Sequence, residues 1–309
     1  MNTIYATILF LLELLYLKVA DKYNIIDKPN ERSSHKRVVI RGGGVVFVLG
    51  FVMWSVVNAF PYPYLLLGLM LSAAVSFIDD VRGLPNKLRF AVHVISVALL
   101  LQELDLLQAT WWILPLFIVL IGIKNAYNFM DGINGITGFY SLAVLIPFYL
   151  TEPDAQLQSL ILVIGISLAV FLFFNARTKA LCFAGDIGSI SMALLVLFVV
   201  LERINITGNF AYIFVLLLYG IDSIFTIVQR LWQRENIFAA HRKHFYQLLV
   251  NEYKFPHLPI SILYGVLQLL FNVWVFYAEP SLALVCSAAV SIGLMYIAVK
   301  FKLLQKLKA

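Results

Sequence analysis

Long apolar runs alternate with short polar segments along this 309-residue chain. The runs lie near 3–20, 42–60, 63–78, 89–107, 110–123, 134–150, 157–174, 188–201, 210–229, 258–277 and 281–299. Most approach the roughly 17 to 25 apolar residues that cross a bilayer as a helix. The pattern predicts an all-α, polytopic integral membrane protein with about eleven (10–11) transmembrane helices, built as a single integral domain over residues 1–309. The run at 110–123 is the weakest, because Pro115 interrupts it. Residues 3–20 have no basic leader and no small-residue cleavage site before Asp21 and Lys22, so they read as a retained first span.

Composition sharpens the picture. The chain is 61% hydrophobic and only 13% charged, with a mean hydropathy of +0.89. Lys and Arg fall almost wholly in alternate loops: residues 21–41, 79–89, Lys124, 175–187, 230–257 and the tail from Lys300 hold 21 of the 23. The intervening loops are acidic, with Glu103, Asp105, Glu152, Asp154, Glu202 and Glu279. The positive-inside rule then puts the N-terminus outside and the C-terminus in the cytoplasm, as a multi-pass protein of the inner (cytoplasmic) membrane. The basic tail KFKLLQKLKA suits anionic lipid. The net charge of +6 reads as membrane orientation, and no nucleic-acid partner is expected. Two cysteines, Cys182 and Cys286, suggest no disulfide framework.

The candidate chemistry sits only in the basic segments, so the expected working face is cytoplasmic. Asp79 and Asp80 end an apolar run. Two such carboxylates about 5 Å apart repel by roughly 3 kcal/mol at an effective dielectric near 20. A cation relieves that repulsion, and Mg²⁺ takes hard oxygen ligands while leaving positions open for phosphate. Arg82, Lys87 and Arg89 stand nearby as counter-ions. In KNAYNFMDGINGITG, Asn125, Asn128 and Asp131 recur every third residue, as do Gly132, Gly135 and Gly138. The glycines suit close helix packing or a backbone approach to phosphate. In NARTKALCFAGDIGS, Asn175 precedes a Gly-Asp-x-Gly-Ser turn whose Asp186 and free backbone donors suit a metal-bridged diphosphate, or alternatively a helix cap. His241, Arg242, Lys243 and His244 form a basic cluster able to clamp phosphate or carry a proton. In the first loop, Asn30, Arg32, Ser33, His35, Arg37 and Arg41 are further phosphate candidates; the adjoining Gly42-Gly43-Gly44 reads more as a packing feature. Within the spans, Asp222 needs a partner, for which Arg230 is the nearest candidate, Glu13 has none in view, and His93 reads as a satisfied core histidine.

In their order, these motifs resemble those of the polyprenyl-phosphate N-acetylhexosamine-1-phosphate transferases, glycosyltransferase family 4. The resemblance runs from about residue 24 to 250, through DKPNERSSHKRVVIRGGG, FIDDVRGLPNKLR, NAYNFMDGINGITG, NARTKALCFAGDIGS, the span with Asp222 and HRKHFYQLL. It implies that a polyprenyl phosphate attacks the β-phosphorus of a UDP-N-acetylhexosamine, with UMP leaving and Mg²⁺ (or Mn²⁺) as cofactor. By resemblance, Asp79 and Asp80 are the acidic pair, one of them engaging or deprotonating the lipid phosphate, and Asp186 is the principal metal ligand, with Asp80 a second. Asp131 and Asn128 shape the diphosphate pocket, Asn175 lies near the uridine, and His244 leads the His-rich loop. Asn125, Lys87, Arg41, His241 and Arg242 complete the expected substrate contacts. Asn134 stands where many bacterial members carry a second Asp, and Phe245-Tyr246-Gln247 stands where some carry further His. That variant is similar to the branch that starts O-antigen-type glycans. The donor sugar and the host polymer stay open, as does a homodimer.

Other functional classes fit the pattern less well. A transporter or flippase of lipid-linked or anionic substrates places charge near the bilayer midplane, whereas here only Glu13 and Asp222 lie well inside spans. A catalytically dead scaffold has no reason to keep Asp79, Asp80, Asp131 and Asp186 together. The CDP-alcohol phosphotransferases need several Asp in one motif, where DGINGITGFYSLAV has one.

Overall fold

The computed structural model describes residues 1–29, 34–35, 37–108, 110–237, 239 and 241–308. The candidates Asn30, Arg32 and Ser33 lie outside the described residues. Every apolar run is helical: α1 (Asn2–Lys22), α2 (Val45–Val57), α3 (Pro63–Arg82), α4 (Asn86–Glu103), α5 (Ile113–Met130), α6 (Ile136–Thr151), α7 (Ala155–Asn175) and α8 (Gly185–Thr207). A 3₁₀ segment, Phe210–Leu216, leads into α9 (Leu217–Trp232). A single turn, α10 (Phe245–Gln247), precedes α11 (His257–Tyr277) and α12 (Leu282–Lys308). The departure from an all-α chain is small. Strands β1 (Ile26–Asp27) and β2 (Val39–Ile40) pair antiparallel, Ile26 opposite Ile40 and Asp27 opposite Val39.

Among the described residues, eight helical stretches are long and apolar enough to cross a membrane. The chain is thus a multi-pass, all-helical membrane protein. α2 and α6 are shorter apolar helices. α4 stands apart because Lys87, Arg89, His93 and Glu103 interrupt its apolar stretch.

α8 is the axis of the bundle: every residue from Ile187 to Leu201 is buried. Glycines let its neighbours come close. A Cβ on Gly188 would strike the Gly44 backbone at the start of α2, the small-residue contact expected of membrane helices. α12 lies at the periphery, with most of its apolar side chains exposed. The break between the 3₁₀ segment and α9 frees backbone groups in the apolar interior, where they need partners. α11 supplies them. Gln268 accepts the N–H of Leu218 at 2.9 Å, and Asn272 donates to the Val215 carbonyl at 3.3 Å.

Two helices run further than their apolar stretches. α3 continues to Arg82 and stops at Gly83, whose φ of +71° suits a residue without Cβ. Asp79 and Asp80 therefore stand on a helical last turn. α5 continues to Met130, so Lys124, counted above with the loops, lies inside the helix. It is fully buried and donates to the hydroxyls of Ser96 at 2.5 Å and Ser72 at 3.3 Å.

Candidate active site

One end of the bundle gathers the carboxylates. Asp80 accepts the backbone N–H of Asp186 at 3.0 Å and of Ile187 at 3.1 Å. These are first-turn amides of α8, which have no partner within their own helix and lie at its positive end. Arg41 Nε meets the same carboxylate at 2.7 Å. Asp80 therefore joins α3 to α8 and aims Asp186. Metal ligation by Asp80, expected from the sequence, would have to share an oxygen with these donors. Gly185 has a φ of +72°, and a Cβ there would run into the Asp80 carboxylate. The triple glycine proves to be a packing feature: Gly43 and Gly44 donate to the carbonyls of Phe183 and Ala184 at 2.8 and 3.1 Å. Tyr16 of α1 holds the Arg41 carbonyl at 2.6 Å.

Asp186 is the meeting point. Its Oδ1 receives Asn128 Nδ2 at 3.0 Å and Arg41 Nη2 at 3.4 Å, and its Oδ2 receives Arg89 Nη2 at 2.9 Å. Arg89 Nη1 reaches Asp79 Oδ2 at 2.9 Å, while the backbone N–H of Leu84 donates to Asp79 Oδ1 at 2.6 Å. Asp131, just past α5, lines the same cavity and accepts the Thr137 hydroxyl at 2.5 Å. Burial lifts its carboxyl to about 6, against the Thr137 bond, which favours the ionised form. Asn175 stitches two loops, accepting the Gly135 N–H at 2.6 Å and donating to the Cys182 carbonyl at 2.8 Å.

The cavity lined by Asp186, Asp131, Asn128, Arg41 and Asn175 holds about 200 Å³, with Asp79, Asp80 and Arg89 outside its lining. An adjoining groove of about 460 Å³ shares His35, Asn134, Phe183 and His257 with it. The lining also includes residues to which the sequence assigned no role, among them Gln247, His257 and Asp27. His257 takes the Asn134 N–H on Nδ1 at 3.3 Å and faces the Ser34 carbonyl at 3.1 Å. Its one sequence signal is its place after Pro256 at the start of a span.

Other expected residues lie elsewhere. Lys87 is exposed, and Arg89, four residues along the same chain turn from Pro85, makes the bridge instead. Asn125 is half-buried on α5 and does not line the cavity. Arg242 pairs with Glu252 at 3.6 Å. His241 is pushed down to about 4 by burial and by the nearby His244, Arg230 and Lys243, so it is neutral at physiological pH and supplies no standing charge.

His244 belongs to a second polar centre. Its Nδ1 lies 3.1 Å from Asp222, which also accepts the Phe245 N–H at 3.1 Å and the hydroxyls of Tyr264 and Tyr296 at 2.9 and 3.0 Å. Arg230, expected beside Asp222, turns away to the carbonyls of Asn236, Ile237 and Ala239. A carboxylate deep in a span takes whichever donors surround it, and four helical segments converge on this one. Tyr246 links the two centres: its hydroxyl donates to the Phe129 carbonyl at 2.9 Å, two residues before Asp131. Glu13 is buried beside Cys182, 3.7 Å from its sulfur. His93, expected to be satisfied, has a buried Nδ1 with no hydrogen-bond partner among the described residues.

The donor set suits a hard divalent cation. Asp79, Asp80, Asp131 and Asp186 bring four carboxylates, and Arg41 and Arg89 return two positive charges. The remaining negative charge and the oxygen donors are what Mg²⁺ or Mn²⁺ requires. Among the described residues, no three His, Cys, Asp or Glu side chains already stand as a metal-ligand group.

The sequence model described as glycosyl transferase family 4 matches residues 62–204, the stretch that carries Asp79, Asp80, Asn128, Asp131 and Asp186. Over that stretch, just under half of the chain, the sequence is similar to glycosyl transferase family 4. The chain is 24% identical over 260 residues to a probable undecaprenyl-phosphate N-acetylglucosaminyl 1-phosphate transferase of Bacillus subtilis, covering 75% of the chain and 72% of that relative. It is 24% identical over 280 residues to the undecaprenyl-phosphate alpha-N-acetylglucosaminyl 1-phosphate transferase of Escherichia coli K12, covering 79% and 75%. A phospho-N-acetylmuramoyl-pentapeptide-transferase of Thermotoga maritima is 28% identical over 171 residues, covering 48% of the chain and 56% of that relative.

Proposed function

We propose that this protein transfers N-acetylhexosamine-1-phosphate from a UDP-sugar to undecaprenyl (polyprenyl) phosphate, releasing UMP, at the cytoplasmic face of the inner membrane. The observation that carries the reading is a cavity lined by Asp131, Asp186, Arg41 and Asn128, with Asp79 and Asp80 tied to Asp186 behind it through Arg89 and the backbone that begins α8.

Phosphoryl transfer needs positioning and charge neutralisation more than covalent chemistry from the protein. An oxygen of the lipid phosphate forms the new bond to the β-phosphorus as the bond to the bridging oxygen of UMP breaks. Asp186 and Asp79 are the side chains that would hold Mg²⁺. The ion, when bound, neutralises the charge of the diphosphate. Asp80 aims Asp186, and Arg41 and Arg89 face the diphosphate. Asp131 limits the cavity on the α5 side, and in this reading it, rather than Asp79 or Asp80, takes the proton of the lipid phosphate, because those two are held by Arg89, Arg41 and backbone amides. The adjoining groove gives room for the rest of the donor. Asp222 and His244 support the Asp131 turn through Tyr246.

The test is direct. Purified protein in detergent is given undecaprenyl phosphate, Mg²⁺ and a panel of labelled UDP-N-acetylhexosamines. Lipid-linked sugar and UMP are expected in equal amounts from at least one donor. Failure with every donor, while a working transferase succeeds in parallel, would overturn the assignment.

A further inference from the structure

Arg89 stands where a cation belongs. Its two terminal nitrogens reach two carboxylates on different helices, Asp79 Oδ2 of α3 and Asp186 Oδ2 of α8, each at 2.9 Å. Joining carboxylates across elements is the job a divalent ion performs in a phosphotransferase site. A guanidinium and a metal ion compete for the same lone pairs, so both cannot hold Asp186 Oδ2 in the same way.

The other partners of Asp186 are poorer candidates to leave. Asn128 is neutral, and its amide also donates to Ser189 at 3.1 Å. Arg41 is pinned to Asp80 at 2.7 Å, and its reach to Asp186 is the longest of the three contacts at 3.4 Å. Among the described residues Arg89 is the one hydrogen-bond donor on Oδ2, and its side chain is 31% exposed, so it is free to swing off that oxygen.

We propose that Arg89 is an exchangeable counter-ion. In the empty enzyme it holds Asp79 and Asp186 together. When a divalent cation arrives, it releases Asp186 and turns its guanidinium to the phosphates of the donor. No covalent bond changes in this step. Cation binding and donor binding are then coupled: the ion evicts a cation that the donor recaptures, and the linkage must run both ways. The proposal rests on the phosphotransferase reading above.

The experiment is a titration of purified full-length protein with Mn²⁺ alone, followed by electron paramagnetic resonance, without donor and then with UDP. R89Q should bind Mn²⁺ about five-fold more tightly than the unmodified protein, the size expected when a partly exposed competing ion pair is lost. K87Q sets the baseline, since it removes the same charge from an exposed position without freeing a carboxylate. UDP should tighten Mn²⁺ binding in the unmodified protein, and less so in R89Q. Should R89Q fail to fold, R89K carries the test: it keeps the charge, lacks the two-pronged contact, and should still bind Mn²⁺ more tightly. Mn²⁺ affinity in R89Q or R89K no greater than in K87Q overturns the exchange. If the unmodified protein binds Mn²⁺ no better than D186N, the metal reading itself fails and takes the exchange with it.

Discussion

Asp80 and Asp186 sit side by side in space yet do different work, and substitution should separate them. Asp186 offers its oxygens to the cavity, whereas Asp80 receives the amides that begin α8. D186N should lower the rate by at least about 10²-fold, as when metal-borne charge stabilisation is lost, and leave thermal stability nearly intact. D80N should cost at least about 10²-fold as well, and should also lower the melting temperature, because an amide group is a weaker partner for two N–H groups and Arg41. A rate assay and a thermal melt in detergent check both. The pH profile tests Asp131. With its carboxyl at about 6, activity that needs the ionised form falls as pH drops through that value. T137V removes a bond that favours the carboxylate, so the acid limb should move to higher pH; an unmoved limb would remove Asp131 from the role. Several of these residues were legible in sequence because a carboxylate or amide at a span boundary has few structural excuses. His244 was legible as a residue with a task, and its partner was not. Asp222 lies 22 positions away in sequence, and nothing in the spacing announces that Tyr264 and Tyr296 close around the same carboxylate. Lys87 was favoured over Arg89 with no geometric ground: helix phase decides which of the two faces Asp79.

Helix boundaries and contacts set the geometry of the site. The apolar runs fixed the helices well, since hydropathy over a span is a strong signal. They misjudged the ends, because α3 and α5 carry polar residues for a further turn once those residues have partners inside the bundle. Lys124 is the clearest case: two serine hydroxyls let an ammonium stay within α5 where charge alone argues for a loop. The small β1–β2 ladder was hidden for a related reason, as two-residue strands leave no periodicity to read. The glycine contacts give a sharper prediction. Gly188 meets Gly44 where α8 passes α2, next to Arg41 and Asp186. G188V should cost roughly 1–3 kcal/mol through overpacking and should depress activity further by moving the Arg41 loop off Asp80. Gly220 of α9 has nothing within 4 Å of a Cβ. G220A should be neutral or stabilise by up to about 1 kcal/mol, from helix propensity alone. Equal melting temperatures for the two variants would remove the claim that α2 and α8 hold the site by close approach.

The two ends of the whole molecule differ in charge. The end with Asp186 carries Arg41, Arg89, Arg177, Lys179, Arg230 and Lys243. The opposite end gathers acid: Glu103 accepts the Leu65 N–H at 2.8 Å, Arg203 lies 3.9 Å from Glu152, and the charges of Glu202, Asp154, Glu103 and Glu152 all bear on Tyr62. Such an asymmetry orients a membrane protein with its basic end in the cytoplasm, and the proposed chemistry demands the same orientation, since a nucleotide-sugar donor made inside the cell must reach the cavity from that side. The two arguments are independent, one from insertion and one from substrate supply, and a single experiment addresses both. Cys286 is replaced by serine, buried Cys182 is kept, and single cysteines are placed at exposed Asp105, Arg234 and Lys302. A membrane-impermeant maleimide on intact cells should label D105C and leave R234C and K302C unlabelled until the membrane is opened. The reverse pattern would turn the cavity outward, away from the nucleotide pool. It would force a choice between the positive-inside argument and the donor assignment, because the geometry of Asp79, Asp131 and Asp186 ties the catalytic end to the same side as Arg234.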